Sequence, residues 1–352
     1  MTLTKFALVR ARTLALILLP TMLHMPISHA GEAIGQASLD QISIDQTAIQ
    51  QGIRLYNQSE FKQAKAILQV EAGKGSAAAT YWLGITQYES GERFEAGDSF
   101  LKAAKMGDPW AMDLLVPGGN SPCDYLGWPC DEAWHEKAMT GWAKLAAKGN
   151  GKAKYAMYDK GDNWWQYIPF YRQKVRNEIH DDIIQHKGYG IFKNGAKWDS
   201  NEQQTNYLIQ AAEDGYAPAM HSLFYSAEFI GREKANEWIF RSLELGYYRS
   251  SEILSYIYEN GTDGFNQDYV KAYYYHRLAS VLGGNPVGSP TVKNFLRNEW
   301  GGVLKDDKGN TVFEILVTPE QQDEMDEKVE EFIQRVKPNR FLDETTTKLF
   351  FY

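Results

Sequence analysis

Small and apolar residues recur along the middle of this chain at fixed distances from a series of glycines. The clearest copies are Ala103-Ala104-Lys105-Met106-Gly107 and Ala211-Ala212-Glu213-Asp214-Gly215, in which two small residues and two others precede the glycine. Looser copies end at Gly75, Gly149, Gly246 and Gly283. A small residue stands four positions after each of the first five glycines, and a large apolar one stands eight positions after it. These pairs are Ala79 and Leu83, Ala111 and Leu115, Ala153 and Met157, Ala219 and Leu223, and Ser250 and Leu254.

This pattern predicts a helical hairpin as the repeating unit. The small pair ends one helix, and the glycine takes the left-handed position that closes it. The small residue in the next helix lets two helix backbones approach closely, and the apolar residue one turn later packs into the interface. Such a hairpin cannot bury its apolar face alone, so stacked neighbours must supply the core. The pattern therefore predicts an all-α fold, a right-handed α-solenoid.

The spacing of the glycines indicates an insertion. Successive intervals are 32, 42, 66, 31 and 37 residues, and a repeat of roughly 35–45 residues accounts for most of them. The long interval holds an inserted segment, and a cryptic extra repeat within it remains open.

Two stretches resemble the Sel1-like repeat (SLR) family, which is related to the tetratricopeptide repeat. The matching residues are Ala79, Leu83, Gly84, Tyr88 and Gly91 in the first stretch, and Gly264, Phe265, Asp268, Tyr269, Lys271 and Ala272 in the second. Phe265 stands where the family has valine. Residues 318–322, followed by an acidic helix, are similar to the terminal cap of that family. The resemblance covers about residues 50–335 and implies about five to six stacked hairpins.

The same resemblance implies a function. Some exported SLR proteins of Gram-negative bacteria resemble immunity proteins, which bind and block toxins delivered into the periplasm, including lipase effectors of type VI secretion. A protein partner of this kind, a secreted toxin, is therefore expected, with occlusion of its active site as the mechanism. An envelope protein is the alternative partner, because a scaffold or regulator of an envelope process would use the same fold.

The start of the chain has the pattern of a secretory signal. Three basic residues precede an apolar stretch at 13–25, and Ser28-His29-Ala30 supplies small residues for cleavage after Ala30. A membrane anchor is the alternative, although the stretch is shorter than the roughly 20 residues that span a bilayer. We therefore expect a periplasmic protein.

Differences in composition divide the chain into four expected regions. The expected regions are a signal peptide at 1–30, a flexible leader at 31–50, the repeat solenoid at 51–284 with inserted loops near 116–134 and 159–205, and a C-terminal extension at 285–352. Within this extension, the alternating run at 311–317 predicts a short strand or an extended arm. Residues 319–336 predict an amphipathic capping helix, and the aromatic end at 348–352 is expected to dock on the body or on a partner.

The net charge of the chain limits the classes of partner that it is expected to bind. The formal net charge is −8, with 43% hydrophobic and 23% charged residues, which is a globular composition. Removal of residues 1–30 takes away three basic and no acidic residues, so the mature charge is −8 − 3 = −11. A nucleic-acid binder is disfavoured because it needs a basic surface.

The segment at 159–205 is rich in aromatic residues. Insertions in repeat proteins map to loops on one face, often the binding face, and Trp and Tyr dominate interface energetics. The candidate partner-binding residues are Trp164, Trp165, Tyr167, Phe170, Tyr171 and Trp198. The alternative is that these rings pack the insertion against the solenoid. The helical spacing of Val175, Ile179 and Ile183 indicates that part of the segment is core.

No catalytic, cofactor-binding or metal-binding motif is found. The chain has no H-x-x-x-H pair, no G-x-S-x-G elbow, no P-loop and no G-x-G-x-x-G. His180-Asp181-Asp182 resembles an acid–base group, but neighbours on a helix point apart, which favours a solvated face. We therefore predict a protein that is not an enzyme and carries no cofactor. Carboxylates that meet across the fold, or a glycan-binding aromatic platform, remain less favoured alternatives.

The two cysteines, Cys123 and Cys130, flank a turn-rich segment. In an exported protein a close pair favours a disulfide over a metal site, because zinc needs four ligands. We predict that the native protein reacts with no thiol reagent before reduction and with two equivalents after it. Reaction with two equivalents before reduction would exclude the bridge.

Overall fold

The fold is described from a computed structural model, which covers residues 44–118, 122–193, 196–285 and 288–347. The predicted signal peptide at 1–30, most of the predicted leader and the aromatic end at 348–352 lie outside the described residues. Among the residues described, no helix is both long enough and apolar enough to cross a membrane.

Helices make up most of the described chain. They are α1 (Gln46–Asn57), α2 (Phe61–Gly73), α3 (Ala77–Glu89), α4 (Arg93–Lys105), α5 (Pro109–Leu114), α6 (Pro122–Tyr125), α7 (Ala133–Ala146), α8 (Gly151–Lys160), α9 (Arg172–Gln185), α10 (Asn201–Glu213), α11 (Ala217–Leu223), α12 (Ala227–Ile230), α13 (Arg232–Glu244), α14 (Tyr248–Asn260), α15 (Tyr269–Val281) and α16 (Pro319–Arg335). Three short 3₁₀ turns lie at Trp164–Tyr167, Tyr189–Phe192 and Phe224–Ser226.

Helix α1 begins inside the predicted leader, because the Asp45 side chain accepts hydrogen bonds from the amides of Thr47 and Ala48. The expected leader at 31–50 is therefore too long at its C-terminal end.

The predicted helix junctions are confirmed. The repeat glycines all have left-handed backbones, with φ between +81° and +97°; they are Gly75, Gly107, Gly149, Gly215, Gly246 and Gly283. At Gly107 the glycine amide donates to Ala104 and the next amide donates to Ala103, both at 3.0 Å. The other five junctions have the same pair of bonds, which is the Schellman motif. The stacked hairpins form the predicted α-solenoid.

The long interval contains a junction that the glycine pattern does not reveal. Helix α9 ends at Gln185, and Lys187, two residues later, has a left-handed φ of +63°. The Lys187 amide donates to Ile184, and the Gly188 amide donates to Ile183, at 2.9 Å each. Lys187 therefore takes the left-handed position that glycine occupies at the other junctions, and Ile183 and Ile184 stand where those junctions have two small residues. The long interval therefore contains a junction of the repeat type, which is followed only by the 3₁₀ turn at Tyr189–Phe192.

The small residues after each junction are buried between helices. Ala79, Ala111, Ala153, Ala219 and Ser250 are all essentially inaccessible to solvent. Ser250 replaces alanine without loss, because its hydroxyl donates to Ser242 Oγ, whose own hydroxyl donates to the Ala217 carbonyl. The small side chain thus allows the close helix contact predicted from its spacing.

The inserted loop near 116–134 is stapled, as predicted. Cys123 and Cys130 form a disulfide. The bridge places Trp128 against α4, where its Nε1 donates to the Arg93 carbonyl at 3.0 Å. A side chain at Gly97 would collide with the Trp128 ring, so the loop and this helix are matched in shape.

The C-terminal extension contains the predicted strand and capping helix. Strand β1 (Lys293–Phe295) pairs antiparallel with β2 (Phe313–Ile315). Helix α16 follows and packs on α15. Thr318 and Gln321 form a reciprocal capping box at its start, which satisfies two helix N–H groups that lack helical partners.

We predict that Gly84→Ala lowers the free energy of unfolding by about 1–3 kcal/mol through overpacking. A Cβ at Gly84 in α3 would lie 2.7 Å from the Phe100 ring of α4. Urea denaturation measures the effect. Gly73→Ala is the matched control, since a Cβ there meets nothing within 4 Å and alanine favours helix by up to about 1 kcal/mol. Equal stability of the two variants would contradict the α3–α4 packing.

Candidate protein-binding surfaces

The insertion between α8 and α9 presents a group of aromatic and apolar side chains to solvent. We call this group the aromatic face; it comprises Trp164, Tyr167, Ile168, Phe170 and Tyr171. Tyr167 is 86% exposed and Phe170 is fully exposed. Four of the six residues predicted to bind a partner therefore lie where a partner can reach them.

Phe170 is held in an unfavourable backbone conformation. Its φ is +64°, which is uncommon for a bulky non-glycine residue. Such strain costs on the order of 1 kcal/mol or more and is concentrated at functional sites. The side chain gains no burial in return, so folding alone does not account for phenylalanine at this position.

Trp165 and Trp198 are not part of the aromatic face. Trp165 is 7% exposed and stacks on Tyr158, with ring centroids 6.5 Å apart. Trp198 packs against the rings of His180 and Tyr207, at 4.9 and 5.5 Å between centroids. Neither ring is therefore fully exposed, because Trp165 packs on α8 and Trp198 packs on α9 and α10. The role of these two tryptophans in binding a partner stays a prediction. Both side chains help to line a cavity of about 610 Å³ beside Tyr167.

The rim of this cavity is basic although the chain is acidic. Arg172, Arg176 and Lys197 line it, together with Asp199. Asp199 pairs with Arg176 and accepts a 2.6 Å bond from the Asn177 amide. Burial acts to raise the pKa of Asp199, but these donors outweigh it and hold the pKa below its usual value. The remaining positive charge suits an acidic or aromatic side chain of a partner.

The His180-Asp181-Asp182 sequence does not form an acid–base group. His180 is fully buried, and neither ring nitrogen has a hydrogen-bond partner among the described residues. Burial lowers the pKa of His180 to about 4, so the ring is neutral at physiological pH. Asp181 accepts from the Tyr207 hydroxyl and Asp182 pairs with Lys154. Among the residues described, no group of three or more His, Cys, Asp or Glu side chains could hold a metal ion.

A second exposed apolar surface lies on the segment between α15 and α16. We call residues 293–315 the arm. Its exposed large apolar residues are Phe295, Leu296, Trp300, Val303, Leu304 and Ile315. Trp300, at the tip of a turn, is 87% exposed. These exposed apolar side chains make the arm a second candidate surface for binding a partner.

The arm is ordered by backbone pairing. Leu296 donates to Val312, Val312 to Leu304 and Leu304 to Leu296, at 2.8–3.1 Å. These bonds tie three short segments into a closed triangle. Two turns connect these segments. In the first, the Asn298 side chain accepts hydrogen bonds from the backbone amides of Trp300 and Gly302. In the second, the Asp306 side chain accepts from the backbone amides of Lys308 and Asn310. The sequence predicted a short strand or an extended arm here, but not the exposure of the apolar side chains.

The residues after α16 run back to α1, α3 and α8, where they bond to Asn57, Trp82 and Lys152. We call residues 337–347 the C-terminal strap. Its backbone is held by Asn57 at the end of α1, which donates through Nδ2 to the Leu342 carbonyl at 2.9 Å and accepts at Oδ1 from the Leu342 amide at 2.6 Å. The Asn57 carbonyl also accepts from the Arg340 amide at 3.0 Å. A single buried asparagine thus pairs with the strap as a neighbouring strand would.

The strap also places an acidic side chain in a buried seat. Glu344 accepts from Trp82 Nε1 at 3.1 Å and pairs with Lys152 at 2.5 Å. Burial acts to raise the pKa of Glu344, but Lys152 and Trp82 outweigh it and hold the pKa below its usual value. Burial acts to lower the pKa of Lys152, but Glu344 and Asp343 raise it above its usual value. Both groups are therefore charged. Sequence reasoning missed this site, because Glu344 lies 262 residues from Trp82 and 192 from Lys152.

We predict that Phe170→Gly leaves the protein equally stable or stabilises it by up to about 1 kcal/mol, because glycine adopts positive φ without steric cost. The matched change Trp165→Ala empties a buried site and should cost about 3 kcal/mol or more. Thermal and urea unfolding measure both. A destabilisation by Phe170→Gly as large as that by Trp165→Ala would show that Phe170 is packed.

Among known proteins, this chain is similar to solved structures in the course of its helices. No protein-family model matches the chain, and no curated protein matches it. Among solved structures, the chain is similar to a protective antigen of uropathogenic Escherichia coli that displays an SLR fold, with 17% identity, a TM-score of 0.41 and 85% of this chain covered. This chain spans 62% of the length of that protein. It is also similar to a Sel1 repeat protein from Oxalobacter formigenes, with 20% identity, a TM-score of 0.37, and 66% of this chain and 98% of that one covered.

These likenesses concern the course of the helices and not the chemistry of any surface. The assignment of the chain as an α-solenoid rests on its own repeated junctions and buried small residues.

Proposed function

We propose that this protein is an exported binding protein, and that its partner is a secreted antibacterial toxin whose active site it occludes. The observation that carries the proposal is the aromatic face, where rings are exposed on a helical framework and one of them, Phe170, is held at a strained φ of +64°. Aromatic anchors of this type supply most of the binding energy in protein interfaces. Stacked helical hairpins commonly act as recognition surfaces.

The compartment and charge support a toxin as the partner. The Cys123–Cys130 disulfide is consistent with an oxidising compartment. The acidic chain, at −11 once residues 1–30 are removed, would speed association with a basic toxin by electrostatic steering. The arm gives a means of occlusion, because its exposed Trp300 can enter a cleft of the partner.

We predict that the mature protein captures one secreted hydrolase and inhibits it at a one-to-one ratio. Affinity capture from the organism's secreted proteins and envelope extract, at low and physiological salt, identifies the partner by mass spectrometry. The Trp164→Ser/Phe170→Ser double variant should bind at least about 10-fold more weakly, since a lost anchor costs more than 1 kcal/mol.

Phe94→Ser is the matched control, because Phe94 is 68% exposed but lies on α4, outside the aromatic face. It should bind as the wild type does. Capture of resident envelope proteins alone would instead favour a scaffold. Equal loss of binding in both variants would exclude the aromatic face as the docking site.

A further inference from the structure

We propose that the surface beneath the C-terminal strap is a second binding site, which takes a peptide segment of a partner that carries an aromatic residue and, three positions later, a carboxylate, and that the strap is its displaceable internal ligand. The strap surface is formed by α1, α3, α8, α11, α14 and the turn at Tyr189–Phe192. The site is separate from the aromatic face and does not rest on the proposed function.

Recognition of the strap backbone is independent of its sequence. Asn57 exchanges two hydrogen bonds with the amide and carbonyl of Leu342, and its own carbonyl takes the Arg340 amide. At the other end of the strap, Lys193 donates to the Thr346 carbonyl. Any peptide backbone that follows the strap's course, including its turn at 344–346, offers these same groups. Main-chain bonds of this kind give affinity in strand-like addition of a peptide.

Specificity comes from one carboxylate and one aromatic ring. The seat formed by Trp82 and Lys152 holds the Glu344 side chain, two residues after the clamped Leu342. Phe341 lies against Tyr216 and Tyr247, with ring centroids 6.2 and 6.1 Å apart. The site therefore recognises an aromatic side chain at the position of Phe341, the backbone at the position of Leu342, and a carboxylate at the position of Glu344.

The strap fits its seat incompletely. Phe341 has a left-handed φ of +54°, which costs free energy for a bulky residue. Beside it remains a cavity of about 360 Å³, bordered by His221, Tyr247 and Phe341. Most strap side chains are half-buried, and Leu342, which packs against the core, is itself only partly buried. Segments with few buried apolar contacts open locally at low free-energy cost, so a partner peptide can compete for the seat.

The binding assay uses a fluorescein-labelled peptide with the sequence of residues 337–347 and the full-length chain. Leu342→Pro in the chain removes the N–H that Asn57 accepts, and it disfavours the left-handed conformation of Phe341. Leu342→Ala is the matched control, because it keeps that N–H. Fluorescence anisotropy measures the peptide, and circular dichroism and size-exclusion chromatography check the fold and oligomeric state of each chain.

We predict that the Leu342→Pro chain binds the peptide with micromolar affinity. The wild-type and Leu342→Ala chains should bind at least about 10-fold more weakly, because a tethered strap competes at an effective concentration on the order of millimolar. An E344Q peptide should bind the Leu342→Pro chain at least about 10-fold more weakly. An alanine-based peptide that keeps only the residues of Phe341 and Glu344 should stay within about 10-fold of the parent peptide.

Three results would overturn the proposal. The first is a folded Leu342→Pro chain that does not bind the peptide, which would make the strap a permanent part of the fold. The second is equal binding of the parent and E344Q peptides, or loss of binding by the alanine-based peptide. The third is a wild-type dimer that the peptide dissociates, since the occupant would then be the strap of a second copy. If Leu342→Pro does not fold, the Glu344→Ala chain, which leaves Asn57, Trp82 and Lys152 in place, takes its role with the same expected result.

Discussion

The turn that ends one helix and starts the next is the constraint on which the rest of this structure depends. At each junction a residue with positive φ lets two amides fold back on the preceding helix, as at Gly107 and Asp108. After each of the first five repeat glycines the chain re-enters a helix two residues on. Because the next helix must lie against its predecessor, the residue four positions on has to be small, as Ala111 is. Turn and small residue together determine the stacking, and the loops and extensions are attached to helices placed in this way.

Much of the fold follows from these local rules and could be predicted. Glycine at a helix end and a small residue at a fixed distance report directly on backbone geometry, so the solenoid, the stapled loop and the capping helix were identified from sequence. The junction at Lys187 was not found, because a lysine in the left-handed conformation carries no compositional signal. Only the tertiary setting, with Ile183 and Ile184 in the core, compensates for its cost.

The binding surfaces were predicted less completely, for a different physical reason. The residue type alone does not reveal whether an aromatic ring is buried or exposed. Trp165 is buried and its neighbour Trp164 is exposed, and only their packing distinguishes them. The apolar side chains of the arm carry the same ambiguity. The strap could not be inferred at all, since Asn57 and Leu342 are 285 residues apart and no periodicity links them. Local pattern locates elements, whereas the faces that they leave exposed depend on long-range packing.

The strap changes how a repeat protein of this kind behaves as a chain. In an open solenoid each hairpin contacts only its neighbours, so the array responds as a one-dimensional series in which one end can fray while the other stays folded. Here Asn339 bonds to Gly246, just before α14, and the next residue, Arg340, bonds to Asn57 in α1. Consecutive strap residues thus couple elements that are remote in sequence. The strap thus ties the first helix of the series to the start of α14, so opening at α1 must break bonds to a segment 285 residues away as well as contacts with its neighbour α2.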